Sequence, residues 1–390
     1  MDTQYDVVIV GAGLVGLSLA PALARTGLSV ALLDRSSIAD SDSESETFDV
    51  RIYAISPGSA AFLRAIGAWQ ALRCERIAPV ESMRVKGDGG GSIEFSAYDL
   101  GERALAWIVE ERELRSALLR TVRRAGVELL PNAALEVITW SASAASLKLA
   151  DGNRIGARLI VGADGVRSRV REAAGIVAEP KSYGQTAVVA NFACERAHHG
   201  RAYQWFRDDG GVLAWLPLPG RRMSMVWSAP DALAHSLLED KAEALSARVA
   251  AAGNRALGAL ESIGPAAGFP LRFLRLPTSV ALRLALVGDA AHGVHPLAGQ
   301  GVNLGFGDAQ TLAAVLAERG PVTDAGAPIL LERYARRRAE PVLAMQAVTD
   351  GLARLFGPPT PWLKSLRNAG ISAVDRLPLL KRALAQPALR

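Results

Sequence analysis

From Tyr5 to Val10 the chain is a short, β-branched and almost continuously apolar run, and comparable runs recur at Ser29–Leu33, Leu159–Val161 and Leu284–Val287. Consecutive apolar positions, rather than alternating ones, mark strands of a parallel sheet covered on both faces. Helical spacing follows the first run from Leu14 to Thr26, with Gly27 as a stop, and follows the last from Asn303 to Glu318. Pro21 falls inside the first helix, where it removes a donor and should kink the axis. The middle of the chain reads differently. Thr186–Cys194, Arg201–Arg207, Gly211–Leu216 and Arg222–Ser228 predict antiparallel strands, with Asp208-Asp209-Gly210-Gly211 as a hairpin and Pro217, Pro219 and Gly220 as the next turn. Apolar stripes at Trp362-Leu363-Leu366 and Leu377-Leu379-Leu380-Leu384 predict amphipathic helices at the C-terminal end.

The stretch from Val7 to Ala24 carries no charge, and about 18 to 20 such residues could span a bilayer. Three glycines and Pro21 interrupt it, and Asp2 and Asp6 precede it where a signal peptide would place Lys or Arg. A buried strand, a tight turn and a buried helix are expected instead, in a cytoplasmic protein that is at most peripheral on the inner face of the membrane. At 390 residues, half of them apolar and 21% charged, the chain exceeds one hydrophobic core and is too apolar for disorder. Two cysteines, Cys74 and Cys194, exclude a disulfide framework and are expected to be buried small apolar residues. Five histidines in no ligand spacing leave no metal site expected.

Charge is unevenly placed. Residues 332–390 hold eleven Lys/Arg against four acidic residues, a net +7, so the other 331 residues sum to −2 of the chain's +5. No nucleic-acid module accompanies the basic excess, so nucleic acid is not an expected partner. An anionic membrane surface fits a basic amphipathic segment, and so does the solvated face of packed helices.

The first strand ends in Gly11-Ala12-Gly13-Leu14-Val15-Gly16. The first glycine permits a tight turn, the second admits a pyrophosphate against the backbone, and the third lets the helix sit close to the sheet. Asp34, 18 residues past Gly16 at the end of the second strand, can bond a ribose 2′-hydroxyl, as in FAD or NAD. Two further strands end in Gly162-Ala163-Asp164-Gly165 and in Gly288-Asp289-Ala290-Ala291-His292, the latter followed by His295-Pro296-Leu297-Ala298-Gly299-Gln300-Gly301-Val302-Asn303. A carboxylate at such a strand end suits a polyol. Backbone donors at Gly299 and Gly301, bordered by Pro296, suit a flat electron-poor ring.

With these motifs in order, and with Phe48-Asp49-Val50-Arg51-Ile52-Tyr53-Ala54-Ile55-Ser56 between them, the chain resembles the FAD-dependent aromatic hydroxylases, the single-component flavoprotein monooxygenases, in their ubiquinone-biosynthesis branch. The resemblance runs from residue 5 to about 345. It implies an α/β fold in three parts. A discontinuous Rossmann-like FAD-binding domain (residues 1–75, 101–180 and 275–330) is interleaved with a largely antiparallel substrate-binding β-sheet domain (76–100 and 181–274), and a basic helical segment (331–390) follows. Gly11, Gly13, Gly16 and Asp34, with Arg35 beside it, would hold the ADP half of FAD. Arg51 and the Glu111–Arg112 turn would approach the diphosphate and ribityl chain, Asp289 would bind the ribityl hydroxyls, and Pro296 to Asn303 would line the ring. Asp164 belongs to the motif that couples FAD to the nicotinamide donor. Glu111 departs from the branch, which has Asn there, and Asp34 replaces the commoner Glu.

The activity implied is hydroxylation of the aromatic ring of a hydrophobic polyprenyl phenol, with NADPH or NADH as donor and O2 as co-substrate, through a C4a-hydroperoxyflavin. No side chain is assigned as acid or base. Trp205, Trp215 and Trp227 are candidates for an apolar substrate wall, or else ordinary sheet packing. Two alternatives stay open: a monooxygenase of a soluble aromatic or polyketide, and a non-catalytic flavin-binding subunit of a biosynthetic assembly. The lipophilic substrate favours contact between residues 332–390 and a membrane.

Overall fold

The computed structural model describes residues 3–39, 47–294 and 300–356, and single positions or pairs between 364 and 389. Pro296 and Gly299 fall outside the described residues, as do Trp362, Leu363, Leu366, Leu379, Leu380 and Leu384 of the C-terminal stripes.

Strand β1 (Thr3–Val10) lies at the centre of the first sheet, parallel to β2 (Val30–Leu33) on one side and β11 (Arg154–Gly162) on the other. β8 (Glu128–Leu130) extends the sheet beyond β2. β11 is shared along its length: its first half pairs with β10 (Ala145–Leu149), itself paired with β9 (Leu135–Trp140), and its last residues pair with β19 (Leu284–Leu286), edged by β18 (Val280–Ala281). The continuous apolar run in β1 now has its reason. Val7 and Ile9 enter one core with helices α1 (Leu14–Ala24) and α8 (Gly301–Ala317), while Val8 and Val10 enter a second core roofed by β9 and β10. Successive side chains point to opposite faces, and both faces are covered. α1 runs unbroken through the buried Pro21. Helices α2 (Pro57–Ile66) and α4 (Glu111–Arg124) complete the first core.

A small antiparallel sheet, in the order β3 (Ile52–Ile55), β7 (Ala106–Glu110), β4 (Ala78–Val80), adjoins this unit. The large sheet contains β5 (Ser82–Lys86), β6 (Ser92–Ser96), β12 (Lys181–Cys194), β13 (Arg201–Phe206), β14 (Val212–Leu218), β15 (Arg222–Pro230), β16 (Leu260–Ser262), β17 (Ala267–Arg275) and β20 (His292–Gly293). Its pairs are antiparallel except β5 with β13. One face is roofed by α6 (Asp231–Glu239) and α7 (Ala242–Ala252); the other meets β3, β4 and β7 through Ala202 and Leu218 packed with Ala54, Val80 and Ile108. Short helix α3 (Ala97–Leu100) follows β6. Cys194 is buried as expected, and its burial pushes the thiol up to about 11, but Cys74 is exposed, because its 3-10 turn packs no residue but Arg76 inward.

After helix α9 (Pro328–Leu355) the described C-terminal residues fasten onto the β5–β6 hairpin. Arg367 pairs with Asp88 with both side chains enclosed, at 1% and 0% exposure. Asn368 accepts from Gly89 N and Gly91 N at 3.1 Å each and donates to Asp88 Oδ1 at 2.8 Å. A Cβ at Gly91 would lie 2.5 Å from the Asn368 carbonyl oxygen, so the hairpin is shaped around this residue. Burial raises the Asp88 carboxyl, but Arg367 and Asn368 outweigh it and hold the group below its ordinary range. This stabilisation is complete above about pH 4, the unfolded value, and is lost as pH falls through the lowered folded one. Arg367→Met leaves a buried carboxylate unpaired and should cost about 3–5 kcal/mol in a denaturant titration at neutral pH; an unchanged midpoint would show that the pair contributes nothing.

Candidate active site

The carboxyl ends of β1, β2, β11 and β19 converge, and each delivers one element of a cleft. β1 turns sharply at Gly11, whose φ of +113° lies outside what L side chains favour; a Cβ there would sit 2.4 Å from Ala163 O beyond β11. A Cβ at Gly16 would lie 2.0 Å from Gly11 O, so the first turn of α1 rests directly on the loop. Gly13 differs: nothing stands within 4 Å of a Cβ there. Its backbone therefore borders open space. α1 begins at Leu14 with no side-chain cap, which leaves first-turn N–H groups for an anion.

Asp34 closes the loop from β2. Its Oδ2 accepts from Ala12 N at 2.7 Å and its Oδ1 from Ser36 N at 2.8 Å, so the carboxylate is fixed beside the turn with lone pairs to spare. Neighbouring Arg35 is exposed. Asp164 is first of all a helix fastener. Its Oδ2 accepts from Arg169 N at 2.8 Å and Val170 N at 3.2 Å, at the start of α5 (Arg169–Ala173). Its Oδ1 is buried without a hydrogen-bond partner among the described residues, and burial raises the carboxyl.

Asp289 sits in a 3-10 turn, Gly288–Ala290, after β19. Protein surrounds it on most sides, yet its side chain opens onto the cleft. Burial pushes its carboxyl up, and His292 and Arg51 oppose that. Asn303 is not free to line a ring through its amide, because Nδ2 donates to Ala54 O at 2.8 Å and Oδ1 accepts from Ser56 N at 3.0 Å. It locks β3 to the first turn of α8, whose first residue is Gly301.

Arg51, just before β3, and Arg112 of α4 reach the cleft tied to protein on the way. Arg51 donates to Glu111 at 2.9 Å and lies 4.5 Å over the Phe269 ring; Arg112 donates to Thr47 O at 2.8 Å. The sequence reading missed Arg115, which donates to Ala12 O inside the glycine loop. Its signal was available: it lies three residues after Arg112 on the same face of α4. Arg112 and Arg115 line a cavity of about 400 Å³ with Phe48 and Asn191.

The tryptophans lie elsewhere. Trp205, Trp215 and Trp227 belong to the core under α6 and α7, with Trp215 so close to Gly253 that a Cβ would stand 2.1 Å from its ring. The opposite face of the sheet presents the cross-strand row Asn191, Ser224, Leu216, Ala202 and, beside it, Val189, Val226, Ala214 and Gln204. The three rings are packing residues, and the wall turned toward β3 is built from smaller side chains.

The open backbone at Gly13, the uncapped helix start, and an exposed carboxylate facing the cleft fit a dinucleotide with a polyol chain. The family model described as "FAD binding domain" matches residues 4–349. The ubiquinone hydroxylase UbiL of Rhodospirillum rubrum is 40% identical over an alignment of 395 positions, covering 100% of this chain and 90% of that protein. The 3-demethoxyubiquinol 3-hydroxylase of Escherichia coli is 34% identical, over 98% of each. The chain belongs to the FAD-binding-domain family, in its branch of ubiquinone-biosynthesis hydroxylases. It is an FAD-dependent hydroxylase. Among solved structures, that of Pseudomonas aeruginosa PqsL in complex with 2-aminobenzoylacetate superposes with a TM-score of 0.77 at 25% identity, covering 95% of this chain and 99% of that one.

Two glycines separate binding from folding. Gly13→Val should leave the apoprotein's thermal transition within a few degrees of wild type yet purify with little FAD, whereas Gly16→Ala should lose on the order of 1–3 kcal/mol of stability by overpacking. Full flavin content in Gly13→Val, read from the visible absorbance, would remove the diphosphate from this loop.

Proposed function

We propose that this enzyme hydroxylates the ring of a hydrophobic polyprenyl phenol on the way to ubiquinone, with NADH or NADPH as electron donor and O2 as co-substrate. The observation that carries the substrate class is the wall opposite β3. Val189, Val226, Ala214 and Leu216 make it apolar, and beyond them on the same sheet Phe206 stacks on Phe356 at 3.7 Å between ring centroids. The names borne by the relatives support the same class of substrate.

Bound FAD supplies the oxygen chemistry. The chain supplies the rest. Gly13 and the start of α1 bind the diphosphate, Asp34 the ribose and Asp289 the ribityl hydroxyls, with Arg115 adding a cation at the loop. Gly301, at the start of α8, would border the ring. The large sheet on one side and β3, β4 and β7 on the other keep water from the reacting atoms and hold the phenol in place.

A peripheral site on lipid follows from the substrate. Among the described residues no helix is long and apolar enough to cross a membrane. Much of the basic excess is spent internally: Arg333 and Arg337 on Glu318, Arg338 on Asp308, Lys364 on Asp208 and Lys381 on Asp375. The surface better suited to lipid is the face of α9 on which Val348 and Leu355, two turns apart, are exposed, with Arg354 beside Leu355.

In micelles carrying a prenyl phenol, NAD(P)H-dependent oxygen uptake should match the hydroxylated product formed. Reoxidation of FAD with peroxide alone, whichever phenol is supplied, would reduce the chain to a flavin-binding subunit. Val348→Glu with Leu355→Glu should lower co-sedimentation with anionic vesicles and leave flavin content unchanged; equal sedimentation would free α9 from this role.

A further inference from the structure

Beneath the Asp289 turn lies a charge network that the cofactor reading does not use. Asp308 of α8 is enclosed at 1% exposure. Its Oδ2 accepts from Gly288 N at 2.8 Å and from His292 Nε2 at 2.6 Å. These donors flank Asp289, one residue before it and three after, and Ala291 N closes the turn on Gly288 O at 2.8 Å. The other oxygen, Oδ1, accepts from Arg338 Nε at 2.6 Å, and Arg338 Nη2 donates to Leu304 O at 2.9 Å. Arg338 comes from α9 and lies over Gly307, where a Cβ would meet the guanidinium at 3.0 Å. A single carboxylate thus fastens both sides of the turn to two helices.

Such a network is a costly way to hold two helices together. Burying a carboxylate and a guanidinium requires every partner to be in place, and apolar side chains would pack α8 against α9 as firmly. What ions add is direction. Both oxygens of Asp308 are committed, so the backbone at Gly288 and the ring of His292 have one arrangement, and Asp289 between them has its carboxylate turned to the cleft. His292 and Arg51 also offset the burial that disfavours the charged form of Asp289, while Asp308 acts the other way.

We infer that Asp308, His292 and Arg338 are positioning residues of the flavin site, which hold the Asp289 carboxylate aimed into the cleft and act on FAD only through it. The inference rests on the assignment of Asp289 to the ribityl hydroxyls made above.

The test is a double-mutant cycle on the FAD dissociation constant, read as flavin fluorescence released when the holoenzyme is diluted. Removing Asp308 would strand a buried arginine and endanger the fold, so His292 is the residue to vary. Asp289→Ala and His292→Ala should each weaken FAD binding roughly tenfold, the scale of one lost charge-assisted hydrogen bond. In the Asp289→Ala background, His292→Ala should add less than about twofold, because its route to the cofactor is gone. His292→Gln, whose amide can still donate to Asp308, should recover most of the affinity. Additive losses, or wild-type affinity in His292→Ala, would overturn the inference while leaving Asp289 in place. Wild-type affinity in Asp289→Ala would remove both.

Discussion

Close packing at four glycines is the constraint on which the rest depends. Gly11 against Ala163, Gly16 against Gly11, and Gly288 and Gly305 against Val15 leave no room for a side chain without movement. Together they let α1 start deep among the ends of β1, β11 and β19. The glycine loop proposed for the diphosphate and the Asp289 turn lie at the ends of the same parallel strands although 272 positions separate Gly16 from Gly288. A helix start without a cap would be a defect in an ordinary domain; here it is the proposed anion site.

The second sheet is used on both faces, and the division of labour follows its register. Large rings go under α6 and α7, where they fill volume. Small apolar side chains and Asn191 face β3, where space is required; Asn191 donates to Asp49 O at 2.8 Å and so ties this wall to the segment carrying Arg51. The C-terminal residues then close the far end through Phe356 and the Asp88 clamp.

Periodicity made the parallel strands and α1 legible, because both faces of β1 are buried and every position reports it. The motifs located Asp34, Asp164 and Asp289, since strand ends with carboxylates are local features. Partners across the chain were not legible. Asn303 reads as a ring-lining residue until Ala54 and Ser56, about 250 positions earlier, are seen to occupy its amide. The tryptophans have clear strand parity, but parity does not say which face helices such as α6 and α7 will cover. The charge of the C-terminal segment was countable; that Glu318, Asp308, Asp208 and Asp88 absorb much of it depends on the fold.

The central claim is that a lipophilic phenol meets FAD-activated oxygen in the space between the large sheet and β3. Turnover of a prenyl phenol under 18O2, followed by mass spectrometry of the extracted product, tests it most directly. One labelled oxygen atom in the ring hydroxyl is expected. Product carrying oxygen from water, or no hydroxylated product while oxygen is consumed, would contradict it.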